Sequence, residues 1–246
     1  DPKAELSALL FQGGGPVATA MVTLSRLGVP VMLLGAVGDD AFGQQIINGL
    51  QEEKVDCSLL AQVAGASSQV AFISVDVQGH RNIFWHRGTA CPAVPEFLPE
   101  LYSDSMRILH LDGLHLEVSI AAARLARQQN IVTVLDAGTL RPGVEQLLPL
   151  IDHIVVSENF AQQATREQSP ELAAKSLLAY GAQAATITLG RAGSISLECS
   201  GELLYQPAFS VDVVDTTGCG DVFHGGYIYG LLQGWPLRQT VQFAAA

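Results

Sequence analysis

Short apolar runs alternate along this chain with segments whose apolar residues recur every three or four positions. Gly13-Gly14-Gly15-Pro16 opens a helical pattern from Val17 to Leu27, with Ala18, Met21, Val22 and Ser25 at helical spacing and Gly28 as its stop. Val29 to Val37 is an apolar run that predicts a strand buried on both faces. Asp39-Asp40 then precedes a second helical stretch, Ala41 to Lys54. Further on, strands are predicted at Ile108–Leu111, Ile131–Leu135, His153–Val156 and Ala185–Leu189. Helices are predicted at Val118–Gln129, Val144–Leu148, Pro170–Tyr180 and Asp221–Leu232. Strands alternating with helices predict an α/β fold whose mainly parallel sheet is covered on both faces.

One section breaks this rhythm. Gln69 to Val77, then Gln78-Gly79, then His80 to Arg87 reads as a β-hairpin with a glycine turn, within a segment starting at Ser67. An antiparallel flap on an α/β body can lid a reaction site, and it can equally be a structural excursion.

Composition narrows the classes. The 24 acidic and 13 basic side chains leave a net charge of −11, and lysine occurs only at Lys3, Lys54 and Lys175. That balance repels a phosphate backbone and, with no basic patch to offset it, argues against a nucleic-acid partner. No apolar stretch reaches the roughly 18 to 20 residues that span a bilayer, so no membrane association is expected. Cys57, Cys91, Cys199 and Cys219 lie far apart without CxxC spacing, which indicates neither a zinc site nor a disulfide framework and suits a reducing, cytoplasmic setting. No signal-peptide pattern opens the chain. It begins just ahead of the glycine-rich turn and stops inside a helical pattern at Phe243-Ala-Ala-Ala, so material is expected beyond both ends.

The most informative segment runs Asp215-Thr216-Thr217-Gly218-Cys219-Gly220-Asp221 into the last long helical pattern. Backbone N–H groups at a helix start, unobstructed by large side chains, form a cradle for an anion such as a phosphate. Asp221 is out of place in such a cradle unless it has its own task, and accepting a proton from a hydroxyl that attacks the phosphate is a suitable one. An ordinary acidic residue in the first turn of a helix explains Asp221 as well when it is taken alone.

This segment resembles the second signature of the PfkB or ribokinase-like carbohydrate kinases, with Cys219 in a position usually held by alanine. Leu27-Gly28 and Gly35-Ala36-Val37-Gly38-Asp39-Asp40-Ala41-Phe42-Gly43 resemble the first signature. The resemblance covers nearly the whole chain from Gly13 onward. It implies one kinase domain over residues 1–246, a three-layer α/β/α sandwich with a mostly parallel central sheet and a small β-sheet lid. The implied reaction is transfer of the γ-phosphate of ATP to a hydroxyl of a sugar or sugar derivative. Asp221 would be the base, with Gly218, Cys219 and Gly220 as the anion hole. Thr188, Gly190, Arg191 and Gly193 would form the strand-end loop at the nucleotide. Gly13 and Gly14 would lie beneath the sugar, with His86 and Arg87 of the lid as further substrate contacts. Asp215 and Thr217 match positions that hold a monovalent cation, K+ in the simplest case, and Mg2+ would accompany ATP. Pairing of lids into a homodimer is also implied, as is an N-terminal strand bearing a sugar-contacting acid outside the present chain.

The chain departs from the pattern in two places. Ala18 stands where the family often has a sugar-contacting Asn. The N-x-x-E motif that organises magnesium is replaced by Glu158 and Ala161, with Asn159 to Gln162 as a shifted alternative. These replacements, with Gly-Gly-Gly-Pro at the start, resemble a sulfofructose-kinase branch of the family. They also leave room for a catalytically silent sugar-binding relative. A rival reading takes Gly13-Gly-Gly15-Pro-Val-Ala18 as a dinucleotide fingerprint of an NAD-dependent oxidoreductase, with Asp39 on the ribose. Absence of any Gly-Lys-Ser/Thr excludes a P-loop. His110, His115 and His153 lack metal spacing and read as partly buried polar residues. His224, three residues past Asp221, reads as structural before supporting. Cys219 reads as a small packing residue, with a reactive thiol as the alternative. Asp112-Gly113 and Asp136-Ala137-Gly138 end predicted strands, where they would line a cleft.

Overall fold

The computed structural model describes residues 5–76, 81–92, 105–213 and 215–246. In chain order the described strands are β1 (Gly35–Gly38), β2 (Leu60–Val63), β3 (Val70–Val75), β4 (Arg81–His86), β5 (Ile108–Leu111), β6 (Val132–Ala137), β7 (His153–Ser157), β8 (Ala184–Thr188), β9 (Ser194–Glu198) and β10 (Leu203–Gln206). The α-helices are α1 (Pro16–Arg26), α2 (Ala41–Glu52), α3 (Leu116–Gln128), α4 (Glu158–Thr165), α5 (Pro170–Leu178), α6 (Cys219–Leu232) and α7 (Leu237–Ala244). The main sheet has the order β10-β9-β8-β7-β6-β5. Its four strands β5 to β8 are parallel, and β9 and β10 add on antiparallel.

Side-chain alternation sorts this sheet into two faces. Leu135, Ile154, Val156, Ala185, Ile187 and Ile195 point to a largely apolar layer built with α3, α4 and α5. The opposite face packs on α1, α6 and α7 through Val134, Val155 and Leu204. On that side it also carries buried polar residues: His110, Asp136, His153, Thr186 and Ser196. Helix α6 supplies the matching His224 and Tyr227. The result is the three-layer sandwich expected from the alternation of elements. Helix α6 is held unusually close to its neighbours: a Cβ on Gly225 would lie 2.6 Å from Thr23 Cβ, and one on Gly230 would lie 2.7 Å from Thr240 Oγ1. Among the described residues, no helix is long and apolar enough to cross a membrane.

Several boundaries differ from expectation. The run Val29–Val37 is a strand only at its end, within Gly35–Gly38, and pairs with β2 rather than with the main sheet. Leu33 and Val37 are buried whereas Met32 and Leu34 are exposed, so one face of the run is covered, not two. Val144–Leu148 is not a helix but two 3-10 turns, Val144–Gln146 and Leu148–Leu150. Pro149 explains this, since its ring has no N–H to donate and clashes with the carbonyl four residues back. Helix α2 stops at Glu52 because Lys54 adopts a left-handed φ of 59°. The hairpin is present as β3 paired antiparallel with β4, Phe72 opposite Phe84. Its glycine turn at Gln78-Gly79 lies outside the described residues.

Candidate active site

The carboxyl ends of the parallel strands and the start of α6 meet at one edge of the sheet. There a cleft of about 220 Å³ is lined by Thr188, Gly190, Gly193, Ala208, Cys219, Gly220, Phe223, Ala244 and Ala245. Gly218 caps α6 from a left-handed φ of 78°, a conformation that glycine adopts without steric cost. Cys219 N–H turns back to the Thr216 carbonyl at 3.3 Å. The next N–H groups, of Gly220 and Asp221, fall in the first turn, where no carbonyl of the helix precedes them. An anion in the cleft would thus meet unpaired donors and the positive end of a helix of 14 residues.

Asp221 sits in that first turn, half-buried. Burial pushes its carboxyl above the usual carboxylate range; His224 and a hydrogen bond from Thr19 work against this, and Asp112 adds to it. A carboxylate in the first turn, committed to no ion pair with Lys or Arg among the described residues, retains lone pairs for a proton. Thr19, on α1, escaped the sequence reading. It flanks Gly218 together with Asp221, since a Cβ on Gly218 would lie 3.7 Å from Thr19 Cγ2 and 4.0 Å from Asp221 Oδ2. Only the packing of α1 against α6 reveals it.

Thr188, Gly190, Gly193, Cys219 and Gly220 are brought together as expected. Arg191 is exposed on the 3-10 turn Gly190–Ala192 beside them. Glu158 is exposed at the start of α4, where Gln162 Nε2 donates to it at 3.4 Å. Ala161 is buried at 1% exposure and Asn159 Oδ1 accepts from Gln163, so neither reading of an N-x-x-E equivalent gathers two ligands. Gly13 and Gly14 lie exposed with open space around them, and Ala18 is half-buried on α1. Asp215 Oδ1 accepts from Thr217 N–H at 2.8 Å, which folds that loop into a tight turn. Cys219 is exposed at the cleft rather than packed in the core, contrary to expectation, because the helix begins there and turns the side chain outward. His110 and His153 are buried polar residues, as anticipated.

The hairpin is clasped at its base. Asp40 caps α2 through Gly43 N–H at 2.7 Å and also accepts from Ser68 N–H at 2.8 Å and Ser68 Oγ at 2.6 Å. Ser67 carbonyl accepts from Thr89 N–H at 2.9 Å and from Ala90 N–H at 3.1 Å. Beyond the clasp, Arg87 donates to the Leu114 carbonyl, while His86 Nδ1 accepts from Gly88 N–H at 3.2 Å. The bonds from Ser68 and then Gly43 hold the Asp40 carboxyl below its usual range. Its contribution is therefore present above the unfolded value of about 3.9 and is lost as pH falls through the lower folded value. Asp40→Ala is expected to speed proteolysis within the hairpin severalfold at neutral pH; an unchanged digestion pattern would refute the clasp.

The profile of the pfkB family carbohydrate kinases matches residues 1–246. A curated ribokinase of Schizosaccharomyces pombe is 28% identical over 249 residues, covering 94% of this chain and 78% of that protein. A 5-dehydro-2-deoxygluconokinase of Geobacillus thermodenitrificans is 25% identical, covering 96% and 77%. The crystal structure of aminoimidazole riboside kinase from Salmonella enterica, complexed with aminoimidazole riboside and an ATP analog, superposes with a TM-score of 0.80. It is 25% identical, with 94% of this chain and 82% of that one covered. The chain belongs to the pfkB family of carbohydrate kinases and is a sugar-kinase phosphotransferase of ribokinase fold. The oxidoreductase reading built on Gly13 to Ala18 is thereby corrected, since the family matched over the whole chain is one of carbohydrate kinases.

Proposed function

We propose that this protein transfers the γ-phosphoryl group of ATP to a hydroxyl of a sugar or sugar derivative, with Asp221 as general base. The observation that carries the reading is a half-buried carboxylate in the first turn of α6, next in the chain to Cys219 and Gly220, which line the cleft at the start of the helix. The hydroxyl oxygen forms the new P–O bond, the bond from the γ-phosphorus to the bridging oxygen breaks, ADP departs, and the hydroxyl proton passes to Asp221. The backbone at Gly218, Cys219 and Gly220 receives the charge of the transferring group. Thr188, Gly190, Arg191 and Gly193 hold the nucleotide. Mg2+, when bound, would neutralise phosphate charge, and Glu158 at the start of α4 is the carboxylate assigned to help hold it.

Gly13, Gly14, His86 and Arg87 are assigned to the sugar. Asp215 and Thr217 are assigned to a monovalent cation such as K+, whose replacement by Na+ would then slow turnover. Phe72, Ile83, Phe84 and Trp85 leave both faces of the hairpin apolar and exposed, which supports its pairing with a second copy. The test is ADP release measured across ketohexoses, aldopentoses, sulfo-sugars and nucleosides. One class should raise ADP production well above the sugar-free rate. ATP binding without sugar-dependent ADP release from any of them would replace this reading by a sugar-binding role.

A further inference from the structure

Beneath Asp221 lies a group of buried ionisable side chains that the phosphoryl transfer just described does not use. His224, one turn along α6, is 3% exposed. Its Nε2 lies 3.0 Å from the Val155 carbonyl of β7, and its Nδ1 lies 2.7 Å from the Gly220 carbonyl and 3.2 Å from Asp136 Oδ2. All three neighbours are oxygens. The two carbonyls cannot donate, so a bare ring nitrogen at either distance would set lone pair against lone pair. Each ring nitrogen thus faces an oxygen that only an N–H can satisfy, an arrangement suited to the doubly protonated ring.

Asp136 completes the arrangement. It is the second-to-last residue of β6 and is 8% exposed, and its Oδ2 makes no hydrogen bond of good geometry, so the ion-pair contact with His224 is what Oδ2 has. A buried carboxylate left alone is strongly disfavoured, and a buried imidazolium likewise; each answers the other. The remaining charged or titratable neighbours are few. His110 of β5 stacks on His224 with ring centroids 5.6 Å apart. Burial, and then the charge on His224, push its imidazole down to about 3, so it stays neutral. Asp112 follows β5, Asp221 lies on α6 itself, and His153 of β7 is engaged with Tyr227 Oη at 3.0 Å.

We propose that Asp136 and His224 form a buried carboxylate–imidazolium pair that acts as a positioning device behind Asp221, keeping the base ionised in a site where burial would otherwise favour its protonated form. The inference rests on the assignment of Asp221 as the base. The cation on His224 lies one turn from that carboxylate and opposes the effect of burial on it, while Asp136 holds the ring charged and fixes its orientation through β6. When Asp221 accepts a proton, the pair keeps its own two charges, so the site returns to its starting state once that proton leaves.

The test has a spectroscopic and a kinetic arm. Nitrogen-15 NMR of the ring at neutral pH should show a bonded hydrogen on both His224 nitrogens in the wild type and on one in Asp136→Asn. A single bonded hydrogen in the wild type overturns the pair. In His224→Gln the acid limb of kcat should move up by roughly one pH unit, with KM for ATP and sugar within about twofold. A profile that superimposes on the wild type, or a uniform drop in kcat without a shift of the limb, overturns the positioning role. If His224→Gln does not fold, the two NMR spectra decide. Full turnover in Asp221→Asn would instead sink the base assignment and leave the NMR result standing, so the two failures are distinguishable.

Discussion

Asp221→Asn is expected to lower kcat by about 10²- to 10⁴-fold, the range that a positioned general base supplies, with ATP affinity changed by no more than a few fold. The amide is nearly isosteric and its oxygen still accepts from Thr19, so the first turn of α6 should keep its shape. What disappears is the acceptor for the hydroxyl proton. Because burial first, and Asp112 in addition, raise the Asp221 carboxyl, the wild-type acid limb should lie above the range of an exposed aspartate. In the variant the residual rate should lose that limb. Steady-state kinetics from pH 5 to 9, with calorimetric titration of ATP, measures both. Near-normal turnover in a folded variant would remove Asp221 from the chemistry.

The second large effect is expected at Gly193. Its φ of 97° and ψ of −128° belong to a region open almost only to glycine. A Cβ there would lie 2.0 Å from the Gln206 carbonyl oxygen and 2.7 Å from Ala208 N, all main-chain atoms that cannot rotate away. Leu189 N–H also bonds the Gly193 carbonyl at 2.8 Å, closing the turn that leads from β8 into β9. Gly193→Ala should therefore cost about 3 kcal/mol or more, from backbone strain and overpacking together. In a domain of this size that corresponds to a fall in Tm of roughly 6–12 °C. Gly193 and Gly190 both line the cleft, so KM for ATP should rise as well. Thermal unfolding within about 1 °C of the wild type would show that the turn relaxes freely.

Local pattern made much of this legible. The parallel strands β5 to β8 are continuous apolar runs, and the segment from Asp215 to Asp221 announces an anion-binding helix start by its small residues alone. What escaped the sequence depended on partners distant along the chain. The antiparallel β9 and β10 follow a 3-10 turn instead of a helix, which breaks the alternation on which the expectation was built. Val29 to Val37 is apolar enough for a central strand, yet among the described residues β1 finds one partner, β2, and Met32 and Leu34 ahead of it are exposed. Thr19 becomes part of the site only through packing of α1 against α6, and Asp136, expected at a strand end to line the cleft, lies buried against His224 instead. His224 was visible in sequence as a neighbour of Asp221, but nothing in the local spacing says that its ring meets three oxygens.

The unlike faces of the central sheet bear on how this enzyme can drift in evolution. On the side built with α3, α4 and α5, residues such as Leu135, Ile154 and Ile187 answer only to volume and shape, so volume-conserving exchanges leave the fold intact. One residue along each strand, the constraint changes in kind: His110, Asp136, His153 and Thr186 answer to hydrogen-bond and charge partners, and no aliphatic replacement satisfies those. Neighbouring positions of one strand thus belong to different mutational regimes. The tolerant parity supplies neutral variation, and the intolerant parity ties the interior of the sheet to the chemistry at its edge.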